Sequence, residues 1–151
     1  MSDQAHKKNR YVFDMDGTLA LVEHRRALLD GDRPDWHSFN KASLLDPPNE
    51  AVANVLRALF EIGYEIWIVS GRSDVAELET RGWLSKHAVP YHHLLMRSAA
   101  DHRPDDVLKR EWALRYEFPD TVLAVFDDRN SVVEMWRSLD IPCFQVAEGN
   151  F

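Results

Sequence analysis

The stretch Arg10-Tyr11-Val12-Phe13-Asp14-Met15-Asp16-Gly17-Thr18-Leu19 decides how the rest of the chain is read. Tyr11, Val12 and Phe13 are aromatic or β-branched and follow a polar leader, which predicts a short buried strand. The apolar run stops at two carboxylates two positions apart, and Gly17 lets the backbone turn just beyond them. Strict strand alternation would point Asp14 and Asp16 to one face. A strand ending in two acids places both at the carboxyl edge of a sheet, where open α/β folds keep their ligands. Asp and Gly are ordinary residues in a turn after a strand, but the full Asp-x-Asp-Gly-Thr run is more specific than a turn requires.

Outward from this strand the pattern repeats. Asn49–Gly63 predicts a helix: Asn49 suits the N-cap after Pro47-Pro48, Val52, Val55, Leu56 and Leu59 share one face, and Gly63 suits the C′ position. Tyr64–Val69 predicts a strand ending in a polar turn, Ser70-Gly71-Arg72. A helix over Val75–His87, weakened by Gly82, leads to a short strand at Leu94–Met96 that ends at Arg97. A helix over Asp105–Tyr116 precedes the strand Thr121–Phe126, which ends in Asp127-Asp128-Arg129. Ser131–Leu139 predicts a helix, with Val132, Met135, Trp136 and Leu139 on one face, and Pro142–Val146 a last strand. Strands alternating with helices imply an α/β fold of three layers, Rossmann-like, with a parallel sheet, helices on both faces and right-handed crossovers. Leu19–Glu50 is the exception, dominated by turn residues with one helical turn expected around Trp36–Lys41. It is too short for a folded cap domain and is expected to form a flap at most.

A chain of 151 residues reads as one domain, here residues 10–151 behind a flexible leader of residues 1–9. With 45% hydrophobic residues it can bury a real core. A net charge of −7 argues against a broad electrostatic grip on a nucleic-acid backbone, while leaving room for a local basic site. The one cysteine, Cys143, excludes an internal disulfide and suits a reducing, cytoplasmic setting; Pro142, Phe144 and Val146 around it suggest a buried structural thiol. No apolar run approaches the ~20 residues of a membrane span, and the polar leader lacks the core of a secretory signal.

Three predicted strands end in chemistry-bearing residues: Asp14/Asp16, Ser70/Arg72 and Asp127/Asp128. Lys109 lies in the first turns of a helix that follows a fourth. In a parallel sheet those ends share one edge. Asp14-Met15-Asp16-Gly17-Thr18 resembles the signature of the haloacid dehalogenase superfamily of phosphotransferases, and the order nucleophile loop, hydroxyl, lysine, acids is also that superfamily's. The resemblance implies that Asp14 is the nucleophile and Asp16 the general acid/base. It further implies that Ser70 and Lys109 hold phosphoryl oxygens, and that Mg²⁺ sits on Asp14, Asp16 through its carbonyl, and Asp127 or Asp128, with Asp127, the first acid after the strand, preferred. The residue types suit that chemistry. A carboxylate can attack phosphorus to give an acyl phosphate, and a second can shuttle the proton. Clustered acids facing a phosphate call for a hard cation with oxygen ligands.

Within the superfamily, Tyr11–Ala20, Gly63–Arg72, Asp105–Glu111, Phe126–Arg137 and Cys143–Phe151 are similar to the 3′-phosphatase domains of T-even phage polynucleotide kinase–phosphatases. That similarity implies further site residues at Arg25, Gly71 and Arg72, and at Asp105, which would hold Arg or Lys side chains in place. The implied substrate is a 3′-phosphate on a nucleic-acid end or nucleotide, with free nucleoside monophosphates or another small phosphoester as the alternative. No Gly-x-x-x-x-Gly-Lys-Ser/Thr run provides a phosphate-cradling loop, so the reading is a stand-alone phosphatase, with a subunit working beside a separate kinase or ligase as a further alternative. A non-catalytic binding module would need a lost nucleophile, and Asp14 is present. Between Val22 and Pro48 the similarity fades. Trp36 and Phe39 in that segment either pack at the edge of the core or form an apolar wall for a base or sugar.

Overall fold

Strand β1 (Arg10–Phe13) occupies the centre of a five-stranded sheet in the order β3-β2-β1-β4-β5, with every neighbouring pair parallel. The other strands are β2 (Glu65–Ser73), β3 (His93–Arg97), β4 (Val122–Asp127) and β5 (Cys143–Gln145). This computed structural model describes residues 7–151. The leader expected over residues 1–9 lies mostly outside the described residues. Asn9 already joins the sheet, donating to the Thr121 carbonyl (3.2 Å) and accepting from the Glu65 amide (2.9 Å).

Alternate residues of the strands feed two cores. Val12, Trp67, Val69 and Val125 pack with Leu108 and Trp112 of α4 (Asp105–Arg115) and Val133 and Trp136 of α6 (Asn130–Ser138). Phe13, Ile66 and Ile68 pack with Leu56 of α2 (Glu50–Glu61) and Trp83 and Leu84 of α3 (Glu77–Lys86). The period-two alternation of a strand buried on both faces thus separates two helical layers. The fold class read from the sequence is the fold observed. A four-residue helix, α5 (Phe118–Thr121), was not anticipated. Cys143 is buried, and burial together with the nearby Asp127 carboxylate pushes its thiol up to about 12. No helix among the described residues is long and apolar enough to cross a membrane.

Two local readings are corrected. β1 ends at Phe13, so Asp14 and Asp16 lie in the loop beyond it and strand alternation does not set their directions. Ser70-Gly71-Arg72 is no turn: it belongs to β2, as an irregularity where pairing with β3 jumps from Ser70↔Met96 to Ser73↔Arg97. Gly71 permits this because the Asp105 carboxylate lies only 2.6 Å from where a Cβ would stand.

The irregular stretch after Leu19 is largely helical. Residues Glu23–Leu29 form a 3₁₀ helix, α1 spans Trp36–Ala42, and Ser43–Leu45 add a further 3₁₀ turn. Asp35 caps α1 by accepting from the Ser38 amide (3.0 Å). The neck of this flap is closed by backbone bonds from Leu21 to Pro47 (2.9 Å) and from Asn49 to Leu19 (2.8 Å). Asn49 does hold the N-cap of α2, but its side chain makes no capping bond. Gly63 stands at C′ with φ +101°.

Candidate active site

Asp14 is the first residue past β1, tied to β4 by its amide, which donates to the Phe126 carbonyl (2.9 Å). Each of its carboxylate oxygens has a donor: Lys109 Nζ at 2.8 Å and Thr18 Oγ1 at 3.1 Å. Lys109, projecting from the second turn of α4, is 1% exposed and also donates to Asp127 Oδ2 (2.9 Å). Asp128 closes the group over Gly17, whose φ is +80° and where any Cβ would stand 2.1 Å from Asp128 Oδ2.

Asp14, Asp127 and Asp128 each offer a carboxylate oxygen within 4.8 Å of the others, and all three are buried. Burial first, and the neighbouring Asp127 charge second, push the Asp14 carboxyl well above its ordinary range against the pull of Lys109. The same two causes raise Asp128. Burial opposes the charge on Lys109, but Asp127 and Asp14 outweigh it and hold the ammonium. One cation thus faces three carboxylates. A divalent ion with oxygen ligands fits that deficit in charge and in donor type. Asp127 is the more fully used acid: its oxygens accept from Lys109, Trp136 Nε1 (3.4 Å) and the Asp128 and Arg129 amides (2.9 and 3.4 Å). Asp128 has one long side-chain contact, from Thr18 (3.5 Å).

The Asp16 side chain turns away from that group, 35% exposed to the cavity, and is gripped by two arginines. Arg72 binds it through Nη2, and Arg25 through Nη2 at 3.0 Å. Burial works to raise the Asp16 pKa, but Arg72 and then Arg25 outweigh it, and the carboxyl is held below its ordinary value. Arg25 is itself buried, lies 4.2 Å over the Phe39 ring, and donates twice to Asp46 (2.8 and 2.9 Å). Asp46 is 1% exposed and has His24 Nε2 2.6 Å away. Ser70, also buried, accepts from the Arg72 amide (3.1 Å). Asp105 is bonded by Arg97 and by Arg129 (3.2 Å), and Arg97 also donates to the Gly71 carbonyl (2.8 Å).

Most of these side chains line one cavity of about 850 Å³ at the carboxyl edge of the sheet. Of the residues singled out in the sequence, Asp14, Asp16, Ser70, Gly71, Arg72, Asp105, Lys109, Asp127 and Asp128 line it. Arg25 does not; it sits behind Asp16. Asp105 lies with Arg97 and Arg129, while Lys109 goes to Asp14 and Asp127. Trp36 and Phe39 line the same cavity, Trp36 59% exposed with its ring edge-on to Phe39 at 5.8 Å. Sequence reasoning missed Asp46 and the pair Arg97–Arg129. Arg97 and Arg129 did carry a signal, each standing at the carboxyl end of a predicted strand. Asp46 carried none beyond the prolines that follow it.

A parallel five-stranded sheet with an Asp-x-Asp loop, a buried lysine and paired acids at one edge defines a phosphatase of the haloacid dehalogenase type. Residues 8–151 match the family of the polynucleotide kinase PNKP phosphatase domain, and the chain belongs to that family. It is 33% identical over 132 residues to an inferred bifunctional polynucleotide kinase/RNA ligase of Autographa californica nuclear polyhedrosis virus, a match covering 85% of this chain and 18% of the viral protein. A chain of the Pnkp1/Rnl/Hen1 complex superposes with a TM-score of 0.81 at 35% identity, over 99% of this chain and 50% of that one. In a second structure, of the Pnkp1/Rnl/Hen1 RNA repair complex, the values are 0.83, 35%, 99% and 46%. The class C acid phosphatase from Bacillus anthracis shares the fold, with a TM-score of 0.65 at 17% identity over 83% of this chain and 54% of that one. This chain therefore spans about half the length of the Pnkp1-complex chains and under a fifth of the viral protein.

Proposed function

We propose that this chain is a Mg²⁺-dependent phosphomonoesterase that removes the 3′-phosphate from nucleic-acid ends or nucleotides through an aspartyl-phosphate on Asp14. One observation carries the reading: Asp14 lies in the cavity with one oxygen held by Lys109 and the other by Thr18, and Asp16 lines the same cavity two residues on. In the first step a carboxylate oxygen of Asp14 attacks phosphorus and the bond from phosphorus to the 3′-oxygen breaks. Protonated Asp16 gives its proton to the leaving oxygen. In the second step Asp16, now a carboxylate, takes a proton from water, the resulting hydroxide attacks phosphorus, and the acyl-phosphate bond breaks to regenerate Asp14 and release inorganic phosphate.

Lys109 and the Ser70 hydroxyl hold phosphoryl oxygens as charge builds on them. Arg72 and Arg25 set the Asp16 proton. With both arginines on it, Asp16 is held as the base that the second step uses. A substrate phosphate that draws Arg72 to itself removes the larger of the two pulls that lower the Asp16 pKa, leaving Arg25 alone against burial, and so shifts Asp16 toward the acid that the first step uses. Asp105 positions Arg97 and Arg129 at the phosphate edge of the cavity. Mg²⁺ would be held by Asp14, the Asp16 carbonyl and one of Asp127 and Asp128, where it would offset the excess negative charge and polarise the phosphate. The sequence favoured Asp127, but the smaller number of donors on Asp128 supports Asp128 as the direct ligand.

The relatives named for kinase, ligase and RNA repair support an RNA or DNA end as substrate, and a kinase or ligase acting beside this domain. The test is a phosphate-release screen over 3′- and 5′-mononucleotides and 3′-phosphorylated oligonucleotides, with Mg²⁺ and with EDTA. Release confined to 3′-phosphates and dependent on Mg²⁺ is expected. If mononucleotides turn over and oligonucleotides are untouched, the free-nucleotide reading replaces this one.

A further inference from the structure

Most cations at this site are committed to buried acids. Arg25 and Arg72 hold Asp16 and Asp46, and Lys109 holds Asp14 and Asp127. Arg26 and Arg129 are different. Both line the cavity, one from the flap and one from the loop after β4. Among the described residues, the acidic partner of Arg26 is Glu23, at 3.3 Å and with its side chain 78% exposed, a pairing worth little in water. Arg129 has Asp105 at 3.2 Å, a carboxylate it shares with Arg97. Both guanidiniums pack on the ring of Phe151, at 5.4 Å for Arg26 and 4.8 Å for Arg129, and Phe151 lines the same cavity. Each guanidinium meets its acid through one terminal nitrogen, Nη2 of Arg26 and Nη1 of Arg129, so further N–H donors of each remain for phosphate oxygens.

We propose that Arg26 and Arg129, steadied by Phe151, form a second phosphate subsite, for the phosphodiester one nucleotide upstream of the reacting end. The inference rests on the reading of the chain as a 3′-phosphatase and adds what selects a polymer end. A nucleoside 3′-monophosphate has one phosphate, which the Asp14 centre takes. A dinucleotide with a 3′-phosphate has a second, on the far side of the terminal nucleoside. The cavity, at about 850 Å³, is several times larger than a phosphate group requires. Trp36 and Phe39 supply its apolar wall for the nucleoside between the two phosphates. The subsite needs only two cations, so it is compatible with a chain of net charge −7.

The test compares three substrates: a 3′-phosphorylated dinucleotide, the same dinucleotide with a neutral methylphosphonate linkage, and the mononucleotide. The methylphosphonate keeps the base and the spacing and removes the upstream charge. For the wild-type protein, kcat/KM should favour the charged dinucleotide over the neutral one by at least about tenfold, the scale of one charge-assisted contact. Arg26→Gln and Arg129→Gln should bring that ratio toward one. Arg81→Gln, on α3 where Arg81 pairs with Glu77 and Tyr91, should leave the ratio as it is. Equal wild-type values for the two dinucleotides, or a ratio preserved in both arginine variants, overturns the subsite and leaves the phosphatase reading standing. Failure to release phosphate from any of the three removes that reading and the subsite with it.

Discussion

Lys109→Met tests the charge balance on which the site is built. Lys109 is 1% exposed, and its ammonium bonds both Asp14 (2.8 Å) and Asp127 (2.9 Å). Methionine keeps much of the stem and removes the charge. Breaking a buried ion pair by removing one partner costs about 3–5 kcal/mol, because the other charge stays buried without compensation. In a domain of this size ~1 kcal/mol moves Tm by about 2–4 °C, so Tm in EDTA should fall by roughly 6–20 °C. The three carboxylates remain within 4.8 Å of one another, so the variant lacks positive charge where Mg²⁺ is proposed to bind. A ligand that binds only the folded state adds stability by mass action, and more so the tighter it binds. Mg²⁺ should therefore raise the variant's Tm more than the wild type's and narrow the gap between them. Turnover at saturating Mg²⁺ should still fall by at least ~100-fold, through loss of a donor to the phosphoryl oxygens. Thermal melts of both proteins across a Mg²⁺ titration, from stripped buffer upward, read the stability effect; phosphate release reads the other. Equal Tm values in EDTA, or an identical Mg²⁺ increment in the two proteins, would refute the reasoning.

Asp14→Asn should reduce phosphate release to background while Tm in EDTA stays level or rises: a carboxyl whose pKa burial has raised destabilises the fold when ionised, and the amide ends that. A folded Asp14→Asn protein with wild-type activity would exclude Asp14 as nucleophile. Asp46→Ala leaves the buried Arg25 without two of its acceptors and should cost about 3–5 kcal/mol in urea unfolding, with loss of turnover. Trp36→Ala removes a largely exposed ring, so Tm should hardly change, while KM for an oligonucleotide rises by the equivalent of ~1–3 kcal/mol if a base stacks there; an unchanged KM rejects the stacking role. Glu65 is pushed up by burial but pulled below its ordinary pKa by Trp67 and Arg10, and Arg103 holds Asp101 far below its own. Depressed carboxylates contribute stability above their unfolded values, near ~4, and lose it as the pH falls through the folded ones, so the gap in urea midpoint between wild type and Glu65→Gln should shrink as the pH is lowered below about 4.

Strand order was not written in the sequence, but strand identity was. Tyr11–Phe13, Ile66–Val69 and Val122–Phe126 are apolar runs because both faces of the sheet are covered, and each gives way to a polar residue at the edge that carries the site. That Asp14, Asp16, Lys109 and the paired acids gather at one edge was legible for that reason. What failed was local geometry decided by distant contacts. Ser70-Gly71-Arg72 has turn composition, yet β3 on one side and Asp105 on the other hold it in the strand. The segment from Leu19 to Glu50 has turn composition too, and its helices are short and fixed by tertiary bonds such as Trp83 Nε1 to the Asp46 carbonyl (2.8 Å). Asp46 looks like a surface acid before two prolines until Arg25 is seen against it.

One set of bonds joins the two parts of the flap, so the proposed proton transfer by Asp16 and the proposed choice of substrate are predicted to be coupled. Its outer part carries Trp36 and Phe39, the wall of the cavity. Its two ends carry Arg25 and Asp46, which are joined to each other and, through Arg25, to Asp16. Phe39 connects the parts, because the Arg25 guanidinium lies on its ring. A ligand that presses on Phe39 from the cavity therefore presses on the guanidinium that bonds Asp16. Exchanging Trp36 leaves the bonds among Arg25, Asp46 and Asp16 in place, whereas exchanging Phe39 removes the ring on which Arg25 lies. Replacing Phe39 with Leu should accordingly alter kcat as well as KM, whereas a change at the exposed Trp36 should fall on KM alone.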